Sequence, residues 1–112
     1  MEKEKVEFST HNDLPEYIDE LAHGTCLQGK IIISYSKLVE AFGEPKKVCG
    51  DKVIFEWTII FEREDSKSVV ATIYDWKEDC SPDRIRNLDK YDWHIGGHDY
   101  SAVEEVYNAL GL

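Results

Sequence analysis

The chain predicts an α+β fold, a single two-layer domain in which a small antiparallel sheet is covered on one face by helices. Three observations carry this. Residues 52–62 alternate with period two, and a β-branched run at 69–77 follows a short polar turn, so the pair reads as an antiparallel hairpin. Segments 14–23, 36–42 and 102–110 instead repeat apolar residues at helical spacing, between capping and stop residues. The 112 residues are 42% apolar and 12% aromatic, enough for one core in one domain spanning 1–112.

In chain order, residues 1–12 are polar and are expected to be loose or to form an edge strand around Val6 and Phe8. Asp13-Leu14-Pro15-Glu16 has the residues of a helix start, with Asp13 to cap, Pro15 in the first turn and Glu16 in the reciprocal capping-box position. Leu14, Tyr17, Ile18 and Leu21 share one helical face, and Gly24 stops the helix. KIIIS, residues 30–34, reads as a strand. Ser36 caps a second helix that runs through Phe42, with Leu38, Val39 and Phe42 inward and Gly43 and Pro45 ending it.

KVIFEWTIIFE, residues 52–62, places Val53, Phe55, Trp57, Ile59 and Phe61 on one face and a mixed set on the other. Glu64-Asp65-Ser66-Lys67 supplies the turn. VVATIYDWK, residues 69–77, then carries Val69, Ala71 and Ile73 on one face and Val70, Thr72, Tyr74 and Trp76 on the other. Residues 78–92 are charged and are expected to form a surface loop, with one short helical turn from Ser81-Pro82 that carries Ile85 and Leu88. Ser101-Ala102-Val103-Glu104 is a capping box. Val103, Val106, Tyr107 and Leu110 form the stripe of the last helix, and Gly111 ends it.

The formal net charge is -10, from 13 Lys+Arg against 23 Asp+Glu. Direct nucleic-acid binding and anionic-membrane binding both need a basic face, and Lys46, Lys47 and Lys52 are the only obvious cluster. The acidity instead suits a partner with a basic surface, or simply keeps a small protein soluble. MEKEKVEFST is too charged for a signal peptide, and no apolar run approaches a membrane span. Cys26, Cys49 and Cys80 are odd in number and far apart, which suits free thiols in a reducing compartment. An intracellular protein without a cofactor is expected.

DWHIGGH, residues 92–98, is the most unusual stretch. His94 and His98 would make a metal pair on one helical face, but Gly96-Gly97 disfavour a helix there. The expectation is a short strand over 92–95, with the glycines turning the chain into the last helix. Trp93 and Ile95 then point to one side and His94 to the other. Two further readings are a zinc site built from His94, His98 and cysteines, and an anion site at the helix start. Asp92 and Asp99 count against the anion.

Asp75-Trp76-Lys77 has the acid-x-Lys form found at the end of a nuclease hairpin, with Glu56 or Glu62 as second carboxylate. The triplet is common by chance, and the charge balance opposes a nucleic-acid substrate. Among the thiols, Cys80 stands beside Asp79, which disfavours the thiolate, whereas Cys49 lies near Lys46 and Lys47. Tyr74, Trp76, Tyr91 and Trp93 are interleaved with Asp75, Asp79, Asp89 and Asp92, the composition of a patch that binds a basic protein. The competing reading is structural: Tyr74 and Trp76 cover the second sheet face and Trp93 fills the core.

Leu38-Val39-Glu40-Ala41-Phe42-Gly43-Glu44-Pro45, Glu56-Trp57-Thr58-Ile59, ATIYDWK at 71–77 and WHIGG at 93–97 together resemble a family of small, mostly uncharacterised proteins encoded by phages and large DNA viruses. The likeness covers about residues 30 to 110. Glu64-Asp65-Ser66-Lys67-Ser68 departs from the shorter Asp-Gly turn usual there. The resemblance implies a viral origin and no known enzymatic site. Small acidic viral proteins often bind and block a host protein, which is an analogy of class rather than a motif in these residues.

Together these readings describe a small acidic viral accessory protein, in the host cytoplasm or nucleus, that is not an enzyme. It binds and inhibits a host macromolecule, such as a defence or nucleic-acid-handling protein. Tyr74, Asp75, Trp76, Asp92, Trp93 and His94 are the expected contact residues. One alternative is a metal-dependent hydrolase or nuclease using Asp75, Lys77 and His94. Another is a mimic of nucleic-acid charge.

Overall fold

The structure, a computed structural model, describes residues 7–13, 23–47, 55–62, 68–75 and 82–112. In chain order its elements are β1 (Glu7–Thr10), β2 (Cys26–Ile33), α1 (Tyr35–Phe42), β3 (Lys46–Lys47), β4 (Phe55–Glu62), β5 (Ser68–Tyr74), α2 (Pro82–Asn87), β6 (Tyr91–Gly97) and α3 (Ser101–Ala109). The sheet runs β1-β4-β5-β6-β2, and β3 also pairs with β4. Every pairing is antiparallel. The class is α+β, and the sheet dominates.

The alternation in the hairpin sets the register. Trp57 stands opposite Ile73, Ile73 opposite Ile95, and Trp93 opposite Ile31. Opposed residues share a face, so these side chains line one surface with Phe55, Ile59, Phe61 and Ala71. All of them are buried. The described helices close this first face with Leu38 and Phe42 from α1, Ile85 from α2, and Ala102, Val103 and Val106 from α3. Each fully buried aliphatic or aromatic side chain contributes about 1.5–3 kcal/mol.

Local chemistry accounts for the two ends of α1 and the start of α3. Ser34, rather than Ser36, caps α1 by accepting the Lys37 amide at 3.3 Å. Gly43 ends α1 at φ 83°, and its N–H donates to the Val39 carbonyl at 2.8 Å. Tyr100, rather than Ser101, takes the N-cap position of α3 and makes no side-chain cap bond, while Asp99 just before it accepts the Ser101 amide at 2.8 Å and also the Ser101 hydroxyl through its Oδ1.

Several expected boundaries move. The KIIIS strand extends back to Cys26, because β6 offers partners as far as Gly97. An irregularity between Leu27 and Gly29 hides this extension from a period-two reading. Within the expected loop at 78–92, the described residues from 82 onward form α2, which buries Ile85, and the start of β6 at Tyr91. The edge-strand expectation for the N-terminal segment holds at Phe8, which pairs with Phe61. The expected helix at 14–23 falls on residues 14–22, outside the described residues, as do the hairpin ends at 52–54 and 76–77.

Candidate functional site

The glycine pair does not bend the chain. β6 continues straight through Gly96 and Gly97, and the turn comes at 98–100. The glycines serve close packing instead. A Cβ on Gly97 would come within 2.4 Å of the Ala102 Cβ, so its absence lets α3 lie directly on the first face. A Cβ on Gly96 would come within 2.5 Å of the Thr72 hydroxyl and 3.4 Å of the Tyr74 ring, so its absence lets Thr72 and Tyr74 settle over β6 on the second face.

Alternation along β6 then separates its side chains. Trp93 and Ile95 point into the core, and Asp92, His94 and Gly96 take the second face. The register draws a row across that face: Lys46 opposes Glu56, Glu56 opposes Tyr74, Tyr74 opposes His94, and His94 opposes Lys30. Five strands contribute one side chain each. The Tyr74 and His94 rings meet edge to face at 5.5 Å. An ion pair borders them on each side, Lys46–Glu56 at 3.7 Å and Lys30–Asp92 at 3.9 Å. Pairs this exposed are worth about 0–1 kcal/mol and exchange partners readily. On the same face near the β2 edge, Ile32 is 65% exposed and Leu27 50%.

Partial burial raises the Tyr74 hydroxyl pKa above its ordinary value of 10.0, and the Glu56 carboxylate adds to the effect, with a smaller contribution from Cys26. Tyr74 is therefore a neutral ring at neutral pH, able to donate or accept a hydrogen bond.

The expected contact residues divide between this surface and the interior. Tyr74 and His94 are half-buried side by side, and Asp92 is exposed next to Lys30. Trp93 is fully buried, edge-on to Trp57 at 5.3 Å, and donates its indole N–H to the Ile33 carbonyl at 3.0 Å. It fills the core, the structural alternative for that residue. Asp75 is also fully buried, and its Oδ1 accepts the Phe55 amide at 2.7 Å, tying the end of β5 to the start of β4. Trp76 and Lys77 lie outside the described residues.

Of the hydrolase alternative Asp75, Lys77 and His94, the structure describes Asp75 and His94 and places them on opposite faces. Asp75 follows Tyr74 in an alternating strand, so it takes the core side while His94 takes the other. His94 lies within β6, whereas His98 falls in the bend that follows Gly97, so the two do not share a helical face. Among the described residues, no group of three or more His, Cys, Asp or Glu stands close enough to hold a metal ion. Asp99 occupies the start of α3, where an anion had been considered. Cys26 is exposed, with the Gln28 amide 3.4 Å from its sulfur. Glu56, Lys30 and Lys46 belong to the row although the sequence reading did not join them; their signal is strand parity, readable only once the register is known.

Comparison with protein-family models, with curated proteins and with solved structures finds no match. Among the described residues, no helix is long and apolar enough to cross a membrane.

Proposed function

We propose that this protein is a non-enzymatic binding protein. It is an intracellular viral accessory factor that captures, and thereby inhibits, a host protein bearing a basic surface. The observation that carries this reading is the row on the second sheet face: an aromatic centre of Tyr74 and His94, bordered by Glu56–Lys46 and Asp92–Lys30. An aromatic centre inside a charged rim is the usual anatomy of a protein contact. Leu27 and Ile32 add exposed apolar area beside it. The net charge of -10 favours a basic protein and disfavours direct contact with nucleic acid.

Asp75 and Trp93 support the surface from beneath, while Tyr74, His94 and Asp92 touch the partner. The viral and inhibitory parts of the reading rest on the family resemblance carried by ATIYDWK and WHIGG. The test is capture of a partner from host lysate by tagged protein, with a Tyr74→Ala/His94→Ala double variant as control. A stoichiometric basic partner, lost in the folded double variant and weakened by salt, is the expected result. Retention of the same partner by the double variant would remove this surface from the proposal.

A further inference from the structure

The sheet ends in β1 on one side and in β2 on the other. β1 sets Glu7 directly opposite Glu62, an acidic pair that repels a second copy of this acidic chain. β2, CLQGKIII, has no acidic residue, and Lys30 is its one charge. Among the described residues β2 pairs on one side only, with β6. On its exposed second-face side Ile32 is 65% and Leu27 50% accessible. We infer that this edge pairs with the same edge of a second copy, antiparallel across a two-fold axis at Ile31, so that the sheet continues from one molecule into the next.

Hydrogen-bond parity identifies the backbone groups on offer. In an antiparallel ladder one residue turns both its N–H and its C=O to one side, and the next residue turns both to the other. The Asp75 amide donates to the Phe55 carbonyl at 3.4 Å, so the odd residues of β5 face β4 and the even ones face β6. Carried across the sheet, Tyr74 bonds with His94, Trp93 bonds with Ile31, and Lys30 and Ile32 turn outward. Two contacts agree with this. The Thr58 carbonyl, on the outer side of β4, accepts the His11 amide at 3.1 Å, and the Lys30 carbonyl accepts the Tyr107 hydroxyl at 2.8 Å. A carbonyl oxygen accepts two bonds, so Tyr107 leaves it a second place for a donor.

Charge selects the register. Lys30 against its own copy would set two ammonium groups opposite each other. Ile32 against its own copy would pair Lys30 with Ser34, where β2 has ended and α1 is capped. An axis at Ile31 pairs Lys30 of each copy with Ile32 of the other and satisfies the outward groups of both. Ile32 stands opposite Asp92, so the row then runs from Asp92 through Ile32 to Lys30 of the second copy. Asp92 and that lysine are two strand spacings apart, about 10 Å, which their side chains span together while the lysine stem covers Ile32. Within one copy the Lys30–Asp92 pair is 3.9 Å long and half exposed, so it exchanges readily. The irregularity between Leu27 and Gly29 confines the pairing to the isoleucine end of β2. The interface is therefore small, and association is weak and concentration-dependent. The axis stands perpendicular to the sheet, which keeps the Tyr74–His94 centres of both copies on the same side. The pairing does not depend on a captured partner.

Sedimentation equilibrium of the full chain, from micromolar to millimolar protein, should show monomer and dimer in exchange. Ile32→Pro removes an outward N–H and no bond to β6, a position where an edge strand tolerates proline, and should abolish the dimer. Lys30→Glu should weaken it several-fold, and Lys30→Glu with Asp92→Lys should restore it. Hydrogen exchange on the unsubstituted chain tests the edge without any variant: the Ile32 amide should exchange more slowly as concentration rises, while the β1 amides do not change. A monomer at every concentration, a dimer retained by folded Ile32→Pro, a charge swap that restores nothing, or exchange at Ile32 that ignores concentration would each overturn the inference.

Discussion

The two faces of one sheet follow different rules in this protein. The first face is continuous and apolar from Ile31 across Trp93, Ile73 and Trp57, and the three described helices close it. The second face changes character along the strands. Thr58, Ile60, Val70 and Thr72 are buried at its centre, while one strand-end row carries Glu56, Tyr74, His94 and Lys30 half in water. Stability therefore draws on the first face and on the buried centre of the second, and capacity for contact resides at one end of the second. Substitutions that respect this division have effects that differ by an order of magnitude.

The largest effect is expected at the tryptophan pair. Trp57 and Trp93 are both fully buried, and their indole nitrogens donate to Gly43 at 2.7 Å and Ile33 at 3.0 Å. Trp93→Ala should lower stability by about 3–5 kcal/mol in urea denaturation, from lost packing and the cavity left behind. A cost below about 1 kcal/mol would return Trp93 to the contact surface.

Next come the glycines and Asp75. Gly97→Ala drives a methyl into Ala102 and should cost about 1–3 kcal/mol, although alanine is otherwise the better strand residue. A Gly97→Ala/Ala102→Gly double variant should recover part of that loss; no recovery would show that the contact is not the cause. Asp75→Ala strands the buried Phe55 amide and should cost about 1–3 kcal/mol. Partner capture should survive in any Asp75 variant that remains folded. The opposite sign is expected at Thr58, whose buried hydroxyl has no hydrogen-bond partner among the described residues. Thr58→Val should be neutral or stabilise by about 1 kcal/mol, and clear destabilisation would reveal a bond to that hydroxyl.

How much of this was legible in the sequence differs between the faces for the same reason. The first face repeats apolar residues at every second position of 55–61, so its burial follows from parity alone. The hairpin, both long helices with their glycine stops and the sidedness of Trp93 and His94 were readable in this way. The second face was not, because its row draws one residue from each of five strands, and register between distant strands leaves no periodic trace. The glycines of WHIGG misled for a related reason. A glycine that makes room for Ala102 or Thr72 looks in sequence like a glycine that makes a turn. Trp93 and Asp75 carried the composition of a contact patch, yet the core needed both more.

The smallest effect concerns Tyr74 and sharpens the chemistry of the open strip. Burial first, and then the Glu56 charge, raise its pKa above 10.0. The folded state therefore holds this proton more tightly than the unfolded chain does. The linked stability is fully present below the unfolded pKa and is lost as pH rises through the folded value. Absorbance titration of the folded protein should show both Tyr35 and Tyr74 ionising above the ordinary range, and a Tyr35→Phe background isolates Tyr74. Glu56→Gln should move that phenol only part of the way down, because it removes the charge and leaves the burial. A complete return to the ordinary value would make Glu56 the dominant cause. No movement at all would place the carboxylate too far from Tyr74 for the two to act on a partner together.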